Sequence, residues 1–152
     1  MRKMTEEEIE RVVASCRWAT ICVATEGDYP YAIEATPFTI GGDTCFMINP
    51  RGGVRKGLRQ TGGVLLKYTL ASPDLEDWIG VSCFGRGRFI DEPEQVREAW
   101  AALGRALRQE AAYSKVADRY DSDGRASPLF AVTVENRTGR CSAKAGERLP
   151  IL

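Results

Sequence analysis

The run "NPRGGVRKGL", Asn49 to Leu58, places three glycines, two of them adjacent, and three cations (Arg51, Arg55, Lys56) in ten positions with no acid, and Arg59 follows at once. Two adjacent glycines let backbone N–H groups approach a ligand closely. A helix starting near Val54 would aim the positive end of its dipole at the same place. Backbone donors, a helix N-terminus and the Arg55/Lys56 pair together suit a phosphate. The G-x-x-x-x-G-K-[ST] spacing of a P-loop is absent. A solvated basic turn is the other reading of these residues, and composition alone leaves both open.

The rest of the chain narrows the chemistry. Among 152 residues, 21 Lys and Arg balance 21 Asp and Glu. A chain without net positive charge is a poor general polyanion binder, so nucleic acid is not an expected partner. There is no His. That removes the usual Ser-His and Cys-His catalysis and the commonest zinc and haem ligand, and no metal set is named. The five cysteines, Cys16, Cys22, Cys45, Cys83 and Cys141, form no C-x-x-C pair. They read as reduced, mostly buried thiols. The first residues carry charges where a secretory signal needs an apolar run, and no apolar stretch is long enough to span a membrane. The expectation is a cytoplasmic, single-domain protein with no membrane partner.

The elements that must hold the basic turn follow from patterning. Thr5 and Glu8 have capping-box spacing, and Ile9, Val12, Val13 and Cys16 recur at helical period, predicting a helix from Glu6 to Cys16. Strands are predicted over Trp18–Thr25, Tyr31–Thr39 and "TCFMIN", as a three-stranded meander. A short helix is predicted near Val54–Gln60, then strands at "GVLLKYTLA" and "DWIGVSCFGRGRFI", the latter bent or bulged at Gly85 and Gly87. Pro93 suits the first turn of a helix lined by Val96, Trp100, Leu103 and Leu107, and a second helical piece runs through Tyr113, Val116 and Tyr120. "DSDGRASP" reads as a loop, "LFAVTVE" as a strand, "NRTG" as a turn and "RCSAKA" as a closing strand, with "GERLPIL" as an extended tail. Many short antiparallel strands with Gly-rich turns point to a mainly β barrel or sandwich.

The ordered series "MRKMTEEEIERVV", "GDYPYAIEATPFT", "CFMIN" with "GGVRKGLR", "GVLLKY", "WIGVSCFGRGRFIDE" and "LFAVTVENRTGR" resembles the pyridoxamine phosphate oxidase-like family of FMN-binding split barrels. Within it, the small nitroimidazole-resistance-type flavoproteins are the nearest likeness. The resemblance implies a six-stranded antiparallel split β-barrel, Greek-key-like, with flanking helices. It implies a homodimer holding FMN between subunits, and flavin-dependent oxidation or reduction of a small molecule with a separate electron donor. On this likeness Arg55 and Lys56 match the phosphate-binding pair. Ala35, Thr36 and Pro37 match the strand along the flavin ring. Met47, Ile48 and Asn49 match the segment by the ribityl chain and phosphate. Ser82, near Trp78, matches a strand facing the flavin edge. Ala35–Pro37 and Met47–Ile48 suit plain barrel packing equally well, and Trp78 and Trp100 suit core or dimer contacts. Asn49 stands where the nitroimidazole-resistance subgroup commonly has His, and the oxidase's C-terminal Arg and Lys have no counterpart, so the substrate is not implied. No catalytic side chain is named. A non-catalytic flavin binder, and a split barrel using F420 or haem, are the alternatives.

Overall fold

A computed structural model describes residues 1–123 and 126–145 of the chain. The order of elements is β1 (Arg2–Lys3), α1 (Glu6–Ser15), β2 (Ala19–Val23), β3 (Tyr31–Ala35), β4 (Phe38–Ile40), β5 (Asp43–Met47), α2 (Gly53–Thr61), β6 (Gly63–Ala71), β7 (Trp78–Phe89), α3 (Pro93–Leu107), α4 (Glu110–Asp123) and β8 (Leu129–Cys141). No helix among the described residues is long and apolar enough to cross a membrane.

All the strands join one antiparallel sheet in the order β3-β2-β6-β7-β8-β5-β4, with β1 added on β8. β3 and β4 are consecutive in the chain but lie at opposite ends of this order. The two residues between them, Thr36 and Pro37, carry the chain from one edge of the sheet to the other, so the sheet curls into a barrel. Proline has no N–H to donate, so the seam is not zipped by a ladder at that point. The result is a barrel left split along one side.

This crossing corrects the expected meander. Tyr31–Thr39 is two strands, and β5 pairs with β4 and β8, not with β3. The single strand β8 also replaces the expected final pair. Asn136, Arg137, Thr138 and Gly139 continue the ladder opposite Phe84, Cys83, Ser82 and Val81, so "NRTG" is not a turn. The long partner β7 supplies hydrogen bonds that outweigh turn propensity. With the two-residue β1, eight strands stand among the described residues where six were expected. The register shift in β7 falls between Phe84 and Gly85, at one of the two glycines expected to mark it. α4 takes up the start of the expected "DSDGRASP" loop, and the tail "GERLPIL" lies outside the described residues.

The core has two parts. Inside the barrel, Ile21, Phe46, Leu66, Tyr68, Val81 and Phe130 pack together. On the outer side of β4, β5 and β8, Phe38, Cys45, Leu129 and Ala131 meet α3 and α4 through Trp100 and Leu103. Trp100 is core, stacked on Tyr113 at 5.8 Å.

α1 starts as the spacing predicts. Glu8 N–H donates to Thr5 Oγ1, and Thr5 N–H donates to the Glu8 carboxylate. Arg2 adds a two-pronged contact to the same carboxylate, at 2.6 and 2.9 Å. That contact, then the Thr5 N–H, lowers the Glu8 pKa to about 2. A folded-state pKa below the unfolded value means stability present above about pH 4.5 and lost as pH falls toward 2. Glu8→Gln is therefore expected to flatten that part of an acid-denaturation curve, measured by circular dichroism, while changing stability far less at pH 2.

The five cysteines are free. Burial raises every one of their pKa values, that of Cys45 to about 12. Cys22 alone is half-buried. A thiol reagent at neutral pH should label Cys22 first and the other four only on unfolding, as read by peptide mass spectrometry. Rapid native labelling at Cys45 would contradict this packing.

Candidate cofactor site at the N-terminus of the second helix

The basic run folds locally before it meets anything distant. Arg51 N–H donates to Asn49 Oδ1 at 2.9 Å and Gly52 N–H to the Asn49 carbonyl at 3.0 Å, closing a turn. Gly52 is the N-cap of α2 and offers no side-chain acceptor, and the first turn holds no acid. The Lys56 N–H makes the first backbone bond, back to Gly52. The N–H groups of Gly53, Val54 and Arg55 precede it, so this helix end presents free donors and positive dipole.

Two close approaches seat α2. A side chain at Gly57 would run into the Ala24 carbonyl and come within 2.6 Å of a Val23 methyl. At Gly53 the Tyr31 ring occupies the space a Cβ would need, at 2.7 Å. The glycines thus let the helix lie against β2 and β3.

Arg55 is the third residue of α2. Its guanidinium carbon lies 3.7 Å from the centroid of the Phe89 ring. Its Nε and Nη2 are buried with no hydrogen-bond partner. Asp91 comes only to 3.9 Å and is 62% exposed, so it neither hydrogen-bonds nor escapes solvent screening. A buried guanidinium edge left without an acceptor is costly, and an anion is what would satisfy it. Lys56, Arg51 and Arg59 are exposed around it.

The other predicted residues fall into two places. Met47 ends β5 exposed; Ile48 is buried, its N–H bonded to the Pro128 carbonyl at 2.8 Å; Asn49 begins the turn. Phe38 pairs with Cys45, so Thr36–Pro37 and Met47–Ile48 continue in neighbouring paths beyond that pair. Ala35 is buried, and Thr36 and Pro37 are half-buried at the crossing. Met47–Asn49 run directly into the turn before α2. Ser82 stands apart from that turn. It lies seven residues from Phe89 along β7, on the order of 20 Å away. It faces out of the barrel beside Lys67, whose Nζ donates to Ser82 Oγ at 3.1 Å.

No protein-family profile and no curated protein matches the chain. Solved structures do. A candidate 5-nitroimidazole antibiotic resistance protein from Bacteroides thetaiotaomicron superposes with TM-score 0.68 and 18% identity, over 92% of this chain and 86% of that one. A FAD and haem binding protein from Mycobacterium smegmatis gives 0.67 and 14%, over 95% and 75%. A candidate pyridoxamine 5'-phosphate oxidase from Listeria innocua gives 0.60 and 14%, over 90% and 96%. The fold is the pyridoxamine phosphate oxidase-like split barrel.

Within this split barrel, sequence reasoning found the basic turn but missed what holds Arg55. Phe89 and Asp91 lie more than thirty positions downstream, and only the curl of β7 past α2 brings them under the guanidinium. Pattern could have offered one hint, since "RFIDE" sets an aromatic residue and acids after a run of glycines. Tyr31 on Gly53 left no signal in spacing.

Proposed function

We propose that this split barrel binds FMN and works as a cytoplasmic, homodimeric flavin-dependent oxidoreductase on a small molecule. The observation that carries the reading is the half-buried Arg55 guanidinium, two of whose nitrogens are buried without an acceptor, beside an uncapped helix N-terminus. That donor set fits one terminal phosphate. Arg55 and the amides of Gly53 and Val54 would hold it, with Lys56 adding charge from the surface. Thr36–Pro37 and Met47–Asn49 would border the rest of the cofactor. Bound flavin supplies hydride or electron transfer, and the chain positions and shields it. Absence of His speaks against a histidine-ligated haem in this chain. Five free thiols suit a reducing compartment.

The dimer is supported by the outer face of β2, β6 and β7. Phe84 is 44% exposed there and, with Leu65 and Cys22, walls an open cleft of about 570 Å³. A second copy covering this face would remove that apolar surface from water and bring Ser82 and Lys67 toward its neighbour's cofactor. Sedimentation at micromolar concentration should give twice the chain mass, and a monomer that binds FMN tightly would overturn the dimer. The purified protein should be yellow. Mass spectrometry of the cofactor released by heat separates FMN from FAD, F420 and haem, and turnover with a reduced nicotinamide separates an enzyme from a flavin carrier.

A further inference from the structure

A second space lies at the mouth of the barrel, where α1 sits over β4, β5 and β6. It is a cavity of about 320 Å³. A water molecule takes up about 30 Å³ of liquid, so the space holds far more than one bridging water and reaches the lower range of small-ligand sites. It shares Pro37 with the cofactor region, but neither Arg55 nor any part of α2 borders it.

Its walls divide by chemistry. Val13, Ala14, Pro37 and Phe38 make one side apolar. Thr44 and Tyr68, which both carry hydroxyls, line the other. Tyr68 is fully buried, and its phenol oxygen has no hydrogen-bond partner. Thr44, on the same wall, influences its acidity but falls outside hydrogen-bond geometry. Burial raises the Tyr68 pKa, so the group stays a protonated donor. At the rim, Arg137 Nη1 lies 3.2 Å from Glu6 and 3.3 Å from Glu10. Arg137, the cation on the cavity wall, is thus already held by carboxylates, which leaves it a poor partner for an anion and suits the space to neutral molecules.

We infer that this cavity is a binding site for a small uncharged molecule with an apolar, ring-sized body and a carbonyl-type acceptor, received by the Tyr68 hydroxyl. The site is separate from the phosphate site, which selects the opposite charge.

The probe is 4-fluorobenzamide, with 4-fluorobenzoate as its charged counterpart, followed by ligand-observed fluorine NMR on the full chain. The amide should bind saturably and the acid at least about tenfold more weakly. Tyr68→Phe keeps the ring and removes the donor, and should weaken the amide about fivefold or more. Ala14→Trp, at an exposed position of α1 that borders the cavity, should fill the space and abolish binding while FMN titration is unchanged. This variant decides the matter should Tyr68→Phe fail to fold. No amide binding at about 10 mM, equal binding of the acid, or binding indifferent to both substitutions would mean that the cavity holds only water.

Discussion

Arg55→Ala is expected to weaken FMN binding roughly tenfold to a hundredfold, while riboflavin binding stays within about twofold. A charge-assisted hydrogen bond is worth about 1.5–3 kcal/mol, which converts to that range. The guanidinium's Nε and Nη2 make no hydrogen bond that a phosphate would have to displace, so nearly the full contact is at stake. Riboflavin has no phosphate and so cannot report the loss. Asp91, 3.9 Å away and exposed, is a weak competitor for the same cation. Asp91→Asn should therefore tighten FMN by no more than a few-fold, since exposed pairs contribute about 0–1 kcal/mol. Lys56→Ala should act in the direction of Arg55→Ala but less, because an exposed ammonium is screened. Fluorescence titration of both flavins into all three variants tests this. If the two flavins weaken equally, or neither does, the stretch is a solvated basic turn.

Gly57→Ala should destabilise the protein by about 2–3 kcal/mol, although alanine is the better helix former by about 1 kcal/mol. The added methyl meets the Ala24 backbone carbonyl and the side chain of buried Val23, and neither can swing away. For a chain of this size that corresponds to a fall in Tm of roughly 4–12 °C. Gly53→Ala is the internal control. Its methyl meets only the Tyr31 ring, which is 37% exposed and can rotate outward. Its cost should be small by comparison, so thermal melts of the two variants separate a backbone collision from a side-chain one. Equal melting temperatures would mean that α2 does not lie against β2 as described.

Some of this architecture was legible at short range. The capping box at Thr5 and Glu8, the strand Gly63–Ala71, the break at Gly85 and the helix after the Gly-Gly pair each depend on residues within a turn or a few pleats of one another. The basic turn carrying Arg55 and Lys56 was visible for the same reason, since charge and backbone freedom sit in one short run. The expected turn at "NRTG" failed because Gly139 and its neighbours are held by β7, not by their own preferences.

Local chemistry thus settled the type of nearly every element and the place of the basic turn. Partner choice among strands was decided only in three dimensions. Thr36–Pro37 read as the middle of one strand, and became the crossing that curls the sheet, because the edges it joins lie at opposite ends of the strand order. The same closure puts Phe89 beneath Arg55 and leaves Ser82 on the far face. Period and propensity act over a few residues, whereas sheet order is set by which apolar faces can be buried together across the whole chain.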